Sequence, residues 1–330
     1  MKPFTNANPR DLKHAAMLVA DAHERGRVAV LAGGGSDLLG MVKEHLVAPD
    51  VLVNLKAIPG LDRIVSHADG ITIGGQMTLD AVSRDRVVRD RYAVLAEAAE
   101  SVGTPQIRNV GTLAGNLCQR PWCWYFRNGF PCFKNGGNTC FAPGGENQFH
   151  AIFGGGPSHI VHPSDTAPAL IALDASFRIA GRNGDRTIAA SDFFALPRVD
   201  PTREHVLAND EVLADIQLPL LPRSARSAYH KVLDREAWTH AVVSAAVVLD
   251  MDGETCRSAR IVLGGVAPVP WRLPDVERLL AGRRITPELA ASAGDVSVDG
   301  ARPLSKNGYK VPLVKAVVRR TILALAARPA

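Results

Sequence analysis

Long hydrophobic runs are missing from this chain: no apolar stretch approaches the roughly 18 to 20 residues that a membrane-spanning helix needs. The opening residues, MKPFTNANPRDLKHAAM, carry no basic segment followed by an apolar core, so a secretory leader is not expected and residence in the cytoplasm is. Charge of one sign is scarce too. A formal net charge of +5 over 330 residues, with Lys and Arg scattered among acids, offers no basic stripe of the kind nucleic acid requires. Internal repeats and low-complexity segments are absent. Two nucleotide-binding signatures also fail. In LAGGGSDLLG, Met41 stands where a P-loop needs lysine after its closing glycine, and Leu38 stands where G-x-G-x-x-G needs its third glycine.

Cysteine is sparse but concentrated. Of five cysteines, four fall in CQRPWCWYFRNGFPCFKNGGNTC, residues 118–140. A leaderless chain meets reducing conditions, which disfavours a disulfide framework and moves metal binding ahead. The spacing is C-x4-C-x8-C-x7-C, without the paired C-x2-C knuckles of structural zinc sites. Zinc, an iron-sulfur cluster and plain buried thiols all stay open on these residues alone. Cys256, far away in a strand-like run, reads as a buried core thiol.

With 46% hydrophobic and 22% charged residues, the chain is long enough for two ordinary domains. Apolar positions Leu12, Ala15, Ala16, Val19 and Ala22 follow a helical period over 11–25 that stops at Gly26. Strands are expected at VAVLA (28–32), VLVNL (51–55) and GITIGG (70–75), and two helices over 78–103. Residues 104–163 are dense in Gly, Pro, Asn and aromatics with almost no periodicity, which marks a functional loop region. A helix or apolar turn and a hairpin at Asn183–Gly184 follow, then a strand at EVLADIQLPL. Pro219, Pro222 and RSARS suggest a boundary near 224. Beyond it, YHKVL, HAVVSAAVVLDM and CRSARIVLGGV read as a meander that turns at Asp252–Gly253, and three helical patterns close the chain.

The triple glycine after the first strand lets backbone amides converge on an anion without Cβ obstruction. A second glycine stretch, GTPQIRNVGTLAGN (103–116), offers small donors that could line the other side of the same diphosphate. The bland reading is two unrelated loops. No acid–base triad is visible, and His150, His162 and the other histidines are assigned to hydrogen bonding.

Taken together, AGGGSDLL, GTLAGNLCQR, HPSDTAPALIALDA, YHKVLDREAW and IVLGGVAPVPWR resemble the FAD-binding subunit of molybdenum hydroxylases, the xanthine dehydrogenase and aldehyde oxidoreductase relatives. The resemblance spans essentially the whole chain and is closest to bacterial aldehyde oxidoreductase medium subunits. It implies an α+β fold: a two-subdomain FAD-binding domain of the vanillyl-alcohol oxidase and p-cresol methylhydroxylase type over 1–224 (about 1–56 and 57–224), then a C-terminal α+β domain with a small antiparallel sheet over 225–330. By this resemblance Val30, Leu31, Ala32, Gly33, Gly34, Gly35, Ser36, Asp37 and Leu38 wrap the FAD pyrophosphate and ribose. Gly111, Thr112, Gly115 and Asn116 complete the cradle, and Asp165 and Lys231 stand at flavin-contacting positions.

A subgroup of the family carries an inserted loop that binds an additional 4Fe-4S cluster, and the segment at about 118–150 lies where that loop is expected. Cys123, Cys132 and Cys140 match its three loop cysteines. Cys118 is taken as the fourth ligand, with Ser158, His159 or His150 in its place, or a labile three-cysteine cluster, as alternatives. The implied function is an electron-transfer subunit within a heterotrimer. A large partner carries the molybdenum cofactor, a small partner carries two 2Fe-2S clusters, and FAD passes electrons to an external acceptor. A relative's signal-bearing partner would allow periplasmic residence instead. The rival from another class is a free-standing vanillyl-alcohol-type flavin oxidase, for which the chain marks no substrate base.

Overall fold

The computed structural model describes residues 2–236 and 239–328, and its backbone forms three sheets. In the first, strands β1 (Thr5–Ala7), β2 (Ala29–Ala32) and β3 (Val51–Asn54) run parallel in the order β1-β3-β2. Helix α1 (Leu12–Glu24) connects the first two strands. Asp11 caps it by accepting from the His14 amide, and Ala15, Ala16 and Val19 turn into the core. Helix α2 (Leu38–Lys43) leaves the end of β2.

The second sheet is β4 (Ile64–His67), β5 (Gly70–Gly74), β6 (Ser176–Gly181), β7 (Gly184–Ala189) and β8 (Val212–Pro219), in the order β4-β5-β8-β6-β7 and antiparallel throughout. Between β5 and β6 lie α3 (Leu79–Arg84), α4 (Arg86–Arg91), α5 (Ala93–Glu100), α6 (Pro105–Val110), α7 (Leu113–Leu117), α8 (Trp124–Arg127) and α9 (Thr166–Ala172). The two helices expected over 78–103 are three. Asp85 adopts an extended backbone and its side chain caps α4 at the Val88 amide, and the Tyr92 backbone leaves the helical region before α5. The β6–β7 hairpin turns one residue earlier than expected, at Arg182–Asn183, with Gly181 facing Gly184. Short helices α6, α7 and α8 also occur where no periodicity is visible in the sequence, because a single turn needs only a cap: Thr104 and Thr112 supply one each for α6 and α7.

The third sheet holds β9 (Ala225–Val232), β10 (Val243–Asp252), β11 (Thr255–Gly264), β12 (Trp271–Arg272) and β13 (Arg283–Arg284), with β12-β11-β10-β9 as its path and β13 paired to β11. Strand β10 is buried along almost its whole length because both faces of the sheet are covered, whereas His230 of β9 and Arg257 and Ser258 of β11 are exposed. One face joins the core around α5 and α9; the other packs on α10 (Pro274–Leu280), α11 (Pro287–Val296) and α12 (Lys310–Ala326). Cys256 is buried on β11. Among the described residues no helix is long and apolar enough to cross a membrane.

Candidate flavin cradle and cysteine loop

Strand β2 delivers Val30, Leu31 and Ala32 to the turn Gly33-Gly34-Gly35-Ser36-Asp37, after which Leu38 opens α2. Gly35 needs its lack of a Cβ, with φ at +73°. A Cβ on Gly34 would overlap the Val110 carbonyl oxygen, and one on Gly33 would lie 2.8 Å from Thr112 Oγ1 and 2.9 Å from Gln76 Oε1. The glycine turn is therefore pressed directly on residues 110–112. Two stretches nearly eighty residues apart form one surface, which excludes the reading of two unrelated loops. Among the described residues no protein group accepts from the amides of Gly34, Gly35 or Ser36. Thr112 is buried and its Oγ1 accepts from the Gly115 amide at 3.2 Å.

Gln76 was not singled out from the sequence. It is 5% exposed, and its Oε1 has no hydrogen-bond partner while lying against the glycine turn. A buried carbonyl without a donor is costly unless a ligand satisfies it. Its signal was the preceding Gly74-Gly75 pair, each packed against backbone carbonyls with no space for a side chain. Neutral amides converging at a glycine turn fit a diphosphate, and the orphaned Gln76 oxygen, an acceptor, fits a hydroxyl donor of an attached ribose, as in a dinucleotide such as FAD.

Asn116 is tied to the HPSD segment: its Oδ1 accepts from Ser164 Oγ at 2.6 Å and Thr166 Oγ1 at 2.7 Å. Next to them, Asp165 accepts from Tyr229 at 2.7 Å and pairs with Lys231 at 2.7 Å, while Lys231 also donates to the Ser101 carbonyl at 2.9 Å. Both charged side chains are 4% exposed. Burial, reinforced by Asp165, holds the Tyr229 hydroxyl well above its usual range, so the phenol stays protonated as donor. His240 is kept neutral chiefly by burial, and its ring meets Trp122 of the cysteine loop at 5.3 Å.

That loop is fastened to the glycine turn. The Arg127 guanidinium reaches Asp37 at 2.7 Å, the Arg120 amide donates to the same carboxylate at 2.9 Å, and Arg127 stacks 4.3 Å over Trp122. Phe126 and Cys132 pack on Met41 of α2, with Cys123 and Phe141 around them. A second knot joins buried Glu204 to Lys134 at 2.7 Å and Arg120 at 2.8 Å. None of these partners was legible from spacing.

Cys123, Cys132 and Cys140 line one small cavity, together with Ser158 and aromatic side chains. The Cys123 thiol is held above its usual range by burial first, with Cys140 and Cys132 adding to it, and its Sγ lies 3.3 Å from His150 Nε2. Burial lowers His150 to about 4, so its imidazole is neutral. Cys118, expected beside these thiols, is placed elsewhere. It ends α7 with its amide on the Ala114 carbonyl, and its side chain packs on the core of the second sheet, where burial raises the thiol to about 12. The short α7 helix accounts for this, because it directs residue 118 back toward the sheet before the loop departs. His159 is half-buried and does not line the cavity. Among the described residues no three His, Cys, Asp or Glu side chains could hold a single metal ion.

Residues 2–221 match the FAD binding domain in molybdopterin dehydrogenase, and residues 228–325 match the CO dehydrogenase flavoprotein C-terminal domain. The aldehyde oxidoreductase FAD-binding subunit PaoB of Escherichia coli (strain K12) is 34% identical over 321 residues, covering 96% of either chain. The carbon monoxide dehydrogenase medium chain of Hydrogenophaga pseudoflava is 28% identical, covering 97% of this chain and 98% of its own. A solved structure of carbon monoxide dehydrogenase from the same organism superposes with a TM-score of 0.79 at 26% identity, covering 100% of both chains. With matches that run through both halves and a glycine cradle built for a dinucleotide, the chain belongs to the family of FAD-binding subunits of molybdenum hydroxylases.

Proposed function

We propose that the chain is the FAD-carrying electron-transfer subunit of a molybdenum hydroxylase acting on aldehydes, and that its cysteine loop holds a 4Fe-4S cluster beside the flavin. The observation that carries this reading is the Asp37–Arg127 contact, which makes the last residue of the glycine turn an anchor for the cysteine loop. The partners are a small 2Fe-2S subunit and a large molybdenum-cofactor subunit, with an external acceptor downstream. The likeness to the aldehyde oxidoreductase subunit supports an aldehyde as the complex's substrate. The first two sheets then form a flavin domain of the vanillyl-alcohol oxidase type, and residues 225–330 the third, C-terminal unit.

Bound FAD supplies the exchange between one-electron and two-electron carriers. The Gly34, Gly35 and Ser36 amides would hold the diphosphate by dipoles alone, and Gln76 Oε1 would accept from a hydroxyl of the cofactor. Asn116 and Thr112 brace the opposite wall through their bonds to Ser164, Thr166 and Gly115. Tyr125, Phe126 and Phe141 exclude water from the thiols, which tunes a cluster's potential. No residue transfers a proton to a substrate, so this chain contributes distance, shielding and potential.

Flavin and iron analysis of the purified complex, with EPR after reduction, tests the reading. One FAD per chain and about four irons beyond the small subunit's share are expected, and Cys132→Ser removes those irons. A complex without flavin, or with iron unchanged in that variant, overturns it.

A further inference from the structure

We propose that the segment between α11 and α12 is a clasp on the closing end of the cysteine loop, and that the charge on Lys310 sets how often this clasp opens. The inference concerns the chain's own polar contacts and is independent of whether the loop carries a cluster. Every carbonyl from Gln148 to Ile152 accepts a hydrogen bond from residues 302–310. Tyr309 Oη donates to Gln148 at 2.9 Å, Lys310 Nζ to Phe149 at 3.1 Å, Asn307 Nδ2 to His150 and Ala151 at 3.0 and 3.3 Å, and the Arg302 amide to Ile152 at 2.7 Å. The contact is reciprocal, because Asn147 Oδ1 accepts from the Lys306 amide at 2.9 Å and its Nδ2 donates to Ser305 Oγ at 3.1 Å. Asn147 and Asn307 are fully buried. Bonds of this kind are kept or lost together, since each buried polar group left behind is costly.

Lys310 is the weak point of the clasp. It is 1% exposed, its ammonium also donates to the Gly265 carbonyl at 2.6 Å, and among the described residues no carboxylate pairs with it. It opens α12, where the positive end of the helix dipole disfavours a cation. Burial lowers the ammonium to about 7. The titratable groups around it do not change charge between pH 7 and 9. Burial lowers His150 to about 4, with Lys310 and His159 adding to it; burial also lowers His159 and raises Tyr309. The Lys306–Glu146 and Lys315–Asp295 pairs lie on the exposed surface.

In an open clasp, water returns Lys310 to the ordinary lysine range near 10.5. Opening therefore takes up a proton at any pH between about 7 and 10. The folded value is the lower one, so the lysine's contribution to closure is fully present above pH 10.5 and is lost as pH falls toward 7. An open clasp also frees the His150 backbone, and with it the imidazole that lies 3.3 Å from Cys123 Sγ. Acidification from pH 9 to 7 thus loosens the cysteine loop at its closing end.

Hydrogen–deuterium exchange of the complete complex, read on peptides covering 142–152 and 302–310, tests the clasp. Between pH 7.5 and 9.5 the wild-type protection factors should rise by up to about tenfold per pH unit, as one proton linked to opening requires. Lys310→Met and Lys310→Gln, the second keeping a neutral donor for the two carbonyls, should show level protection over that range, with circular dichroism as the check on folding. Asn307→Ala should lower protection about tenfold at every pH and keep the wild-type slope. Level wild-type protection, a slope that persists in either Lys310 variant, or undisturbed exchange in Asn307→Ala overturns the proposal. The wild-type profile decides alone should the lysine variants fail to fold.

Discussion

Asp37 and Arg127 meet at 2.7 Å across ninety residues of sequence, and through them the glycine turn and the cysteine loop become one rigid piece. The arginine is 8% exposed and also donates to the Pro121 and Arg120 carbonyls at 3.0 and 3.1 Å. Replacing it with Met leaves the Asp37 carboxylate with only the Arg120 amide and takes the guanidinium donor from two carbonyls. The expected cost is about 3 kcal/mol of stability, together with loss of bound flavin, read by chemical denaturation and by the flavin-to-protein ratio after gel filtration. Arg127→Lys should restore little, because an ammonium cannot serve the carboxylate, both carbonyls and the Trp122 face at once. Full flavin retention in Arg127→Met would refute the coupling of the two sites.

Glycine substitutions separate the cradle from its surroundings. Gly34→Ala must push residues 110–112 away, since its Cβ overlaps the Val110 carbonyl, and flavin-free protein with a retained fold is expected. Gly40, inside α2, has nothing within 4 Å of an added Cβ. Gly40→Ala should therefore stabilise the protein by about 0.5–1 kcal/mol through helix propensity alone and keep its flavin. Circular dichroism with flavin absorbance reads both.

Much of this architecture was visible in the sequence where a local signal existed. Helix α1 follows its alanine and valine period, and the β9–β11 meander follows its long apolar runs. What remained hidden depends on long-range packing. No local pattern says that Gly34 lies on Val110, or that Gln76 faces the turn with an unpaired oxygen. The cysteine spacing likewise counts thiols without giving the path between them. Leu113–Leu117 forms one helical turn that carries Cys118 into the core, whereas Ser158, eighteen residues past the last loop cysteine, returns to the cavity. The split at Asp85 was legible in principle, because an aspartate three residues ahead of Val88 is a capping residue inside an otherwise helical stretch.

Acid should unfold the protein earlier than its surface suggests. Burial, with His205 adding to it, lowers His162 to about 3, and burial lowers His205 to about 4. Their folded values lie below the unfolded 6.5, so the native state binds fewer protons than the unfolded chain in that interval. Stability is fully present above pH 6.5 and is lost as pH falls toward 4 and then 3, by at most about 1.4 kcal/mol per pH unit for each histidine. Urea midpoints at pH 7.5, 5.5 and 4.5 should fall in that order. His205→Asn, which removes one of the two groups, should flatten the dependence below pH 6.5, and an unchanged slope would contradict the assignment.

Lys231 poses a sharper question, because its ammonium is already occupied by Asp165 at 2.7 Å and the Ser101 carbonyl at 2.9 Å. Lys231→Met leaves a buried carboxylate supported only by Tyr229, at a cost of about 3–5 kcal/mol, and Asp165→Asn leaves the opposite charge stranded. The double variant removes both charges and should recover a large part of that loss, with a coupling of about 1–3 kcal/mol in a double-mutant cycle. Flavin behaviour then separates two roles. If the pair serves the fold alone, the double variant regains wild-type flavin content and midpoint potential along with its stability. A lysine that also faces the flavin ring predicts recovered stability with a more negative potential, since the anionic reduced flavin loses its neighbouring cation. The second outcome is expected here, because Lys231 and Asp165 sit beside Ser164 and Thr166, the residues that hold Asn116 against the cradle.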